Sequence, residues 1–283
     1  MKRLSSTRHW TLFATATRYA LTEHLRNRFA MVLVALFIPM WTALAFLSVP
    51  STKVRFQLRA TGETLTPGGN QLTEITGALN AVTLIIGFMM FAASFSSGRF
   101  DRRLAMAGYP RTHLVLAKIT SLTLASGVVA LYATAFTCMF RVPEQPLQFA
   151  AALFCVGLTY GALGVAFGSL LRREVEGMFA IVMISVIDLA LQNPLYSSSS
   201  DSPIVHYLPA YGAMQASTGA AFSAAPLTRY FAIQLVWFAA VALVGLLAFH
   251  RRTHTTMPVA EQPQYLPQQS LLVQQPERTE PSA

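Results

Sequence analysis

Gln145–Leu171 reads QPLQFAAALFCVGLTYGALGVAFGSLL, 27 residues without a charge between Glu144 and Arg172. A helix of that length rises about 40 Å, more than the roughly 30 Å of bilayer hydrocarbon that about 20 apolar residues cross. The pattern recurs along the chain. No charged residue lies between Arg28 and Lys53, Glu74 and Arg99, Lys118 and Arg141, or Arg229 and Arg251, gaps of 24, 24, 22 and 21 positions. Buried helices of soluble proteins are usually shorter. Five such runs predict an all-α, polytopic membrane protein.

Composition agrees. Of 283 residues 12% are charged and 53% are hydrophobic, whereas a soluble globular chain carries about 25% charge. That apolar content excludes disorder for the bulk of the chain, and two cysteines exclude a disulfide scaffold. A sixth span is predicted at Val175–Gln192, apolar through MFAIVMISVIDLAL except for Asp188. The predicted spans are then about 29–49, 78–97, 119–140, 147–170, 175–192 and 229–249. Residues 202–228 are also poor in charge but broken by Pro203, Pro209 and Pro226. They read as a loop holding a re-entrant or interfacial helix around Tyr211–Phe222, because irregular backbone at membrane depth needs protein or water to cover it.

Lys and Arg in short loops set orientation. Six spans with both termini cytoplasmic place 16 of the 21 basic residues inside and five (Lys53, Arg55, Arg59, Arg141, Arg229) outside. The net charge of +9 is thereby a topology signal. Nucleic-acid binding would need a clustered basic face and a recognition motif, and neither occurs. Residues 1–28 lack the apolar core of a signal peptide. His9–Arg28 instead sets Trp10, Phe13, Thr17, Ala20 and Leu21 roughly on one side, as an amphipathic helix at the inner interface would. Residues 251–283, rich in Gln, Pro, Glu and Ser beyond Thr253, read as a disordered cytoplasmic tail.

Chemistry-bearing motifs are few. There is no P-loop, dinucleotide fingerprint, GxSxG or HExxH, and the six histidines are too scattered for a metal site. Cys138 and Cys155 fall within spans, as small apolar packing residues do. Asp188 is read as the one acid at membrane depth. A role in a substrate or ion pathway competes with an interfacial or capping role that uses Gln192 or Asn193. Gly157, Gly161, Gly164 and Gly168 form two GxxxG units, which allow close helix packing within a bundle or across a dimer. Pro39 removes a backbone hydrogen bond and bends span one.

The most informative segment is the inside loop at 98–118, within Ser97–Lys118: SGRFDRRLAMAGYPRTHLVLAK. A helical piece, Phe100–Met106, precedes Gly108, a helix terminator, and Pro110, which suits a helix's first turn. The expectation is a compact cytoplasmic helix–turn–helix. Simple anchoring by positive charge would need no fixed Gly-Tyr-Pro turn.

These residues resemble a known family. Asp101-Arg102-Arg103, Gly108-Tyr109-Pro110, Arg111 and Lys118 are similar to the second inside segment of ABC-2 type transporter permeases, the membrane subunits of ABC exporters. Leu170-Leu171-Arg172-Arg173-Glu174 resembles the family's junction after span four. Leu208–Gly212 with Ala213–Ala221 resembles its short helix before the last span. The likeness extends by topology over about residues 9–250. It implies that 98–118 contains a coupling helix, with Phe100, Asp101, Arg102, Arg103, Met106, Tyr109 and Arg111 touching a separate P-loop ATP-binding subunit. ATP and Mg²⁺ would bind there, and this chain would carry no cofactor and catalyse nothing. Two permease copies, identical or paralogous, would form the pathway in the plasma membrane. The chain lacks the large extracellular domain of some such exporters, which favours a drug, peptide or small lipid as cargo. Two alternatives are a transporter working without ATP, whose internal repeats are not evident here, and a non-transporting membrane assembly protein.

Overall fold

The computed structural model describes the backbone of residues 2–195 and 202–254. Eight α-helices account for most of it: α1 (Lys2–Arg26), α2 (Arg28–Leu47), α3 (Gly69–Met106), α4 (Arg111–Phe140), α5 (Pro146–Leu170), α6 (Glu174–Gln192), α7 (Tyr211–Phe222) and α8 (Thr228–His254). A 3-10 turn at Pro203–Tyr207 precedes α7. Five helices are long and apolar enough to cross a membrane: α2, α3, α4, α5 and α8. Helix α6, which is not among these five, covers the sixth predicted segment with 19 residues.

Helix ends follow local chemistry. Between α1 and α2 the Asn27 side chain accepts the Ala30 N–H at 3.0 Å, capping α2. Pro39 lies inside α2. The α2–α3 loop folds into a small antiparallel hairpin, β1 (Phe56–Gln57) with β2 (Thr64–Leu65). Its turn uses Gly62 at φ +76°, a left-handed conformation that glycine adopts without a Cβ penalty. The charge pattern gave no hint of this hairpin.

Burial separates centre from rim. The apolar windows of α3 and α5 are 72% and 78% buried, against 11% for α2 and 22% for α8, so α3 and α5 form the packed axis. Glycines let them approach. A Cβ on Gly164 would run into the Gly87 carbonyl oxygen and stand 2.9 Å from Phe91 N. One on Gly168 would meet Phe91 O and Ser94 Cβ at 2.9 Å, and one on Gly161 would strike Leu122. Gly157 faces Ser126 at 3.2 Å. All four glycines thus face neighbours within the chain.

The loop at 98–118 differs from expectation. Helix α3 continues unbroken through the charged residues to Met106, and α4 starts at Arg111, so the connection is only the four residues 107–110. Charges mark where apolar surface ends, not where backbone hydrogen bonding must stop. A helix of 38 residues is about 57 Å long, well beyond a bilayer core, and its end projects with α4 as a hairpin. Gly108 at φ +87° makes the turn. Pro110 is the N-cap of α4, not its first residue. The other bounds also move. The interfacial helix expected at 9–28 runs Lys2–Arg26, and α8 extends to His254, so 251–254 are helical. The rest of the expected tail, and the serine run before Asp201, lie outside the described residues.

Candidate functional site

Two polar constellations stand out, one at each end of the bundle. The first is the α3–α4 hairpin, where α1 packs. Asp101, 6% exposed, pairs with Lys118 Nζ at 2.6 Å. Ser97 donates to the Asp101 carboxylate at 3.2 Å and accepts from Lys118 at 3.2 Å. A pair this sheltered gains little net energy over an apolar replacement but strongly penalises loss of one partner. It fixes how α3 meets α4.

The hairpin also grips α1. The Tyr109 hydroxyl donates to the Leu12 carbonyl at 2.6 Å, and burial raises its pKa, so it remains a protonated donor. Phe100 stacks on Tyr19 with centroids 5.5 Å apart, and His9 stacks on His113 at 5.3 Å. Ser96 donates to Glu23 Oε1 at 3.0 Å. Of the residues expected to touch a partner, Phe100, Asp101 and Tyr109 thus meet groups of their own chain. Arg102 and Arg111 are half-buried, while Arg103 and Met106 are exposed at the tip.

The second constellation surrounds α7. This helix spans about 18 Å, too short to cross a bilayer, and Tyr211 to Ala221 are all buried. Its occurrence at 211–222 matches the expected short helix. A buried helix end leaves backbone groups that must find partners. At the N-terminus the Asp188 carboxylate, 2% exposed, accepts the Ala210 N–H at 2.8 Å. Gln234 Oε1 accepts the Ala213 N–H at 2.9 Å, and its amide donates to Thr159 at 2.7 Å and to the Pro209 carbonyl at 3.0 Å. Asp188 also receives the Tyr160 hydroxyl and the Gln192 amide, each at 2.6 Å.

At the other end of α7, Arg141 donates to the Ala221 carbonyl at 3.3 Å and lies over the Phe222 ring at 4.5 Å. The Gln145 side chain donates to Ser223 O at 2.6 Å and to Ala225 O at 3.3 Å. Helices α5, α6 and α8 and the α4–α5 junction therefore hold α7 by side chains. Asp188 thus bonds Gln192, one of the two partners considered for it, and the N–H that opens α7.

Glu74 is a second acid buried among the apolar helices. Glu74 bounds a gap and so looked external, yet it lies in the apolar segment Gly69–Gly98 of α3 at 2% exposure. Asp188 is thus not alone. Helical spacing carries no such signal, since Leu72, Ile75 and Leu79 share one face and Glu74 falls off it; Glu74 is inside because residues 72–80 of α3 are buried all round. Another face of α3 forms a polar seam with α6. Asn80 donates to Ser185 at 3.0 Å, Thr83 and Ser185 hydroxyls lie 2.6 Å apart, and Asn193 donates to Thr76 at 3.0 Å. Among the described residues, no three His, Cys, Asp or Glu side chains gather as metal ligands would.

No protein-family model and no curated protein matches the chain.

Proposed function

We propose that this chain is the membrane subunit of an ATP-driven exporter of the ABC-2 type, coupled to a separate P-loop ATP-binding subunit. The observation that carries this reading is the projecting α3–α4 hairpin. Its tip offers Arg103 and Met106, while its flank is fastened to α1 through Tyr109–Leu12 and Phe100–Tyr19. A push on such a tip would reach α1 and the central helix α3 together. A hairpin that only anchored the chain would not need to be braced.

In this reading α6 completes six spans, the hairpin and both termini are cytoplasmic, and the membrane is the plasma membrane. The weakly buried face of α2, with Leu36, Met40 and Leu44 exposed, would meet lipid and a second permease copy, identical or paralogous. Cargo would be an amphiphilic drug, peptide or lipid, in keeping with the apolar helices. Co-expression with the P-loop ATPase of a neighbouring gene tests this. The two proteins should co-purify, and Arg103→Glu with Met106→Glu should abolish the complex while leaving the permease folded. A complex that survives both changes would contradict the coupling role.

A further inference from the structure

A cavity of about 210 Å³ opens between α1 and the α3–α4 hairpin. Tyr19, Met90, Phe100, Leu104 and Leu114 give it a mostly apolar wall, and Glu23, Ser94, Asp101 and Lys118 also border it. A second cavity of about 370 Å³ shares Glu23 and His24 and adds Glu174.

The charges around the first cavity do not cancel. Lys118 pairs with Asp101 at 2.6 Å and also attracts Glu23, so one ammonium answers two carboxylates, and Glu23 itself accepts the neutral Ser96 hydroxyl. Burial holds His24 below its ordinary pKa, in its neutral form near pH 7. With Glu23 ionised, a state that burial disfavours and a bound cation would favour, the lining carries one uncompensated negative charge, in a chain whose net charge is +9. Independently, the Ser94 hydroxyl is buried without a hydrogen-bond partner, on a residue only 2% exposed. A buried polar atom of that kind is expensive unless something bonds it.

An apolar wall, an excess carboxylate and an unpartnered hydroxyl suit one ligand chemistry. We infer that the cavity binds the protonated amine head of an amphiphile. The ammonium would donate to the Glu23 carboxylate, with Ser94 Oγ reached by a turn of its side chain toward the cavity, and the alkyl chain would lie against Met90, Phe100 and Leu104. A fatty alcohol would lack the charge that Glu23 selects, and an alkyl phosphate would be repelled. The inference does not depend on the exporter reading. Its source could be an amine-headed lipid of the bilayer or a free amphiphilic amine, and the same experiment separates them.

The full-length protein in phosphatidylcholine nanodiscs would be titrated with radiolabelled dodecylamine, counting binding above empty discs. Saturable binding is expected that dodecanol and dodecyl phosphate fail to displace. Glu23→Gln should weaken it about tenfold or more, the scale of a charge-assisted hydrogen bond. Ser94→Leu, which fills the cavity without touching its charge, should abolish it, and unchanged melting temperatures would show that both variants fold. Displacement of dodecylamine by phosphatidylethanolamine in the discs would assign the site to a bilayer lipid, and its absence would assign it to a free amine; both keep the amine site. Equal competition by dodecanol, or wild-type affinity in both variants, would overturn it.

Discussion

Tyr160 of α5 donates its hydroxyl to Asp188 of α6 at 2.6 Å, and the same carboxylate oxygen accepts the Ala210 N–H at the start of α7. One side chain thereby joins three helices. Asp188→Ala should leave the Tyr160 hydroxyl and the Ala210 N–H without their acceptor and leave Gln192 only the backbone carbonyl of residue 188. Interhelical hydrogen bonds in membranes average well under 1 kcal/mol each, so the summed loss expected is about 2 kcal/mol. Thermal unfolding in detergent, with Asp188→Asn as an intermediate case, checks it. Wild-type stability of Asp188→Ala would assign the carboxylate to something other than holding α7.

Glycine substitutions should divide by what the added carbon meets. At Gly164 the Cβ would meet the backbone of Gly87 and Phe91, which cannot rotate away. Overpacking of that kind costs up to about 3 kcal/mol, against a helix-propensity gain of about 1 kcal/mol. Gly164→Ala is therefore expected to lose about 2 kcal/mol. At Gly245 the nearest atoms, of Ala166, stand 3.7 Å away, so Gly245→Ala should equal or exceed wild type. Chemical denaturation of the two variants side by side gives the comparison.

Packing of α1 should depend on pH in two opposing windows. Burial lowers the His24 pKa from 6.5, so the packed helix holds the neutral ring. Its contribution is complete above pH 6.5 and is lost as pH falls through the lowered value. Burial, opposed by the Ser96 hydrogen bond and by Lys118, raises the Glu23 pKa from 4.5. Its contribution is complete below pH 4.5 and is lost as pH rises through the raised value. In a Glu23→Gln background only the histidine trend remains. Amide exchange of α1, corrected for intrinsic rates, should then accelerate below pH 6.5, and His24→Gln should flatten the profile.

Much of the architecture was legible in the positions of charged residues, because a membrane core tolerates so few of them. The long charge-free runs became helices, the proline-bounded 211–222 segment became α7, and Gly108 became the turn between α3 and α4. What escaped had two causes. A charge bounds apolar surface but not a helix, so α3 passed Glu74 at one end and Asp101 at the other. Long-range pairing leaves no local trace either: Tyr109 with Leu12, or Asp188 with Ala210, join residues whose spacing follows no helical period.

The most direct test of the exporter reading is photocrosslinking at Met106, 56% exposed at the hairpin tip. Benzoylphenylalanine would replace Met106 in living cells, and the crosslinked species would be sequenced by mass spectrometry. A major adduct with a P-loop ATP-binding protein is expected, lost when Arg103 is changed to Glu. Adducts to lipid alone, or to proteins on the opposite side of the membrane, would contradict it.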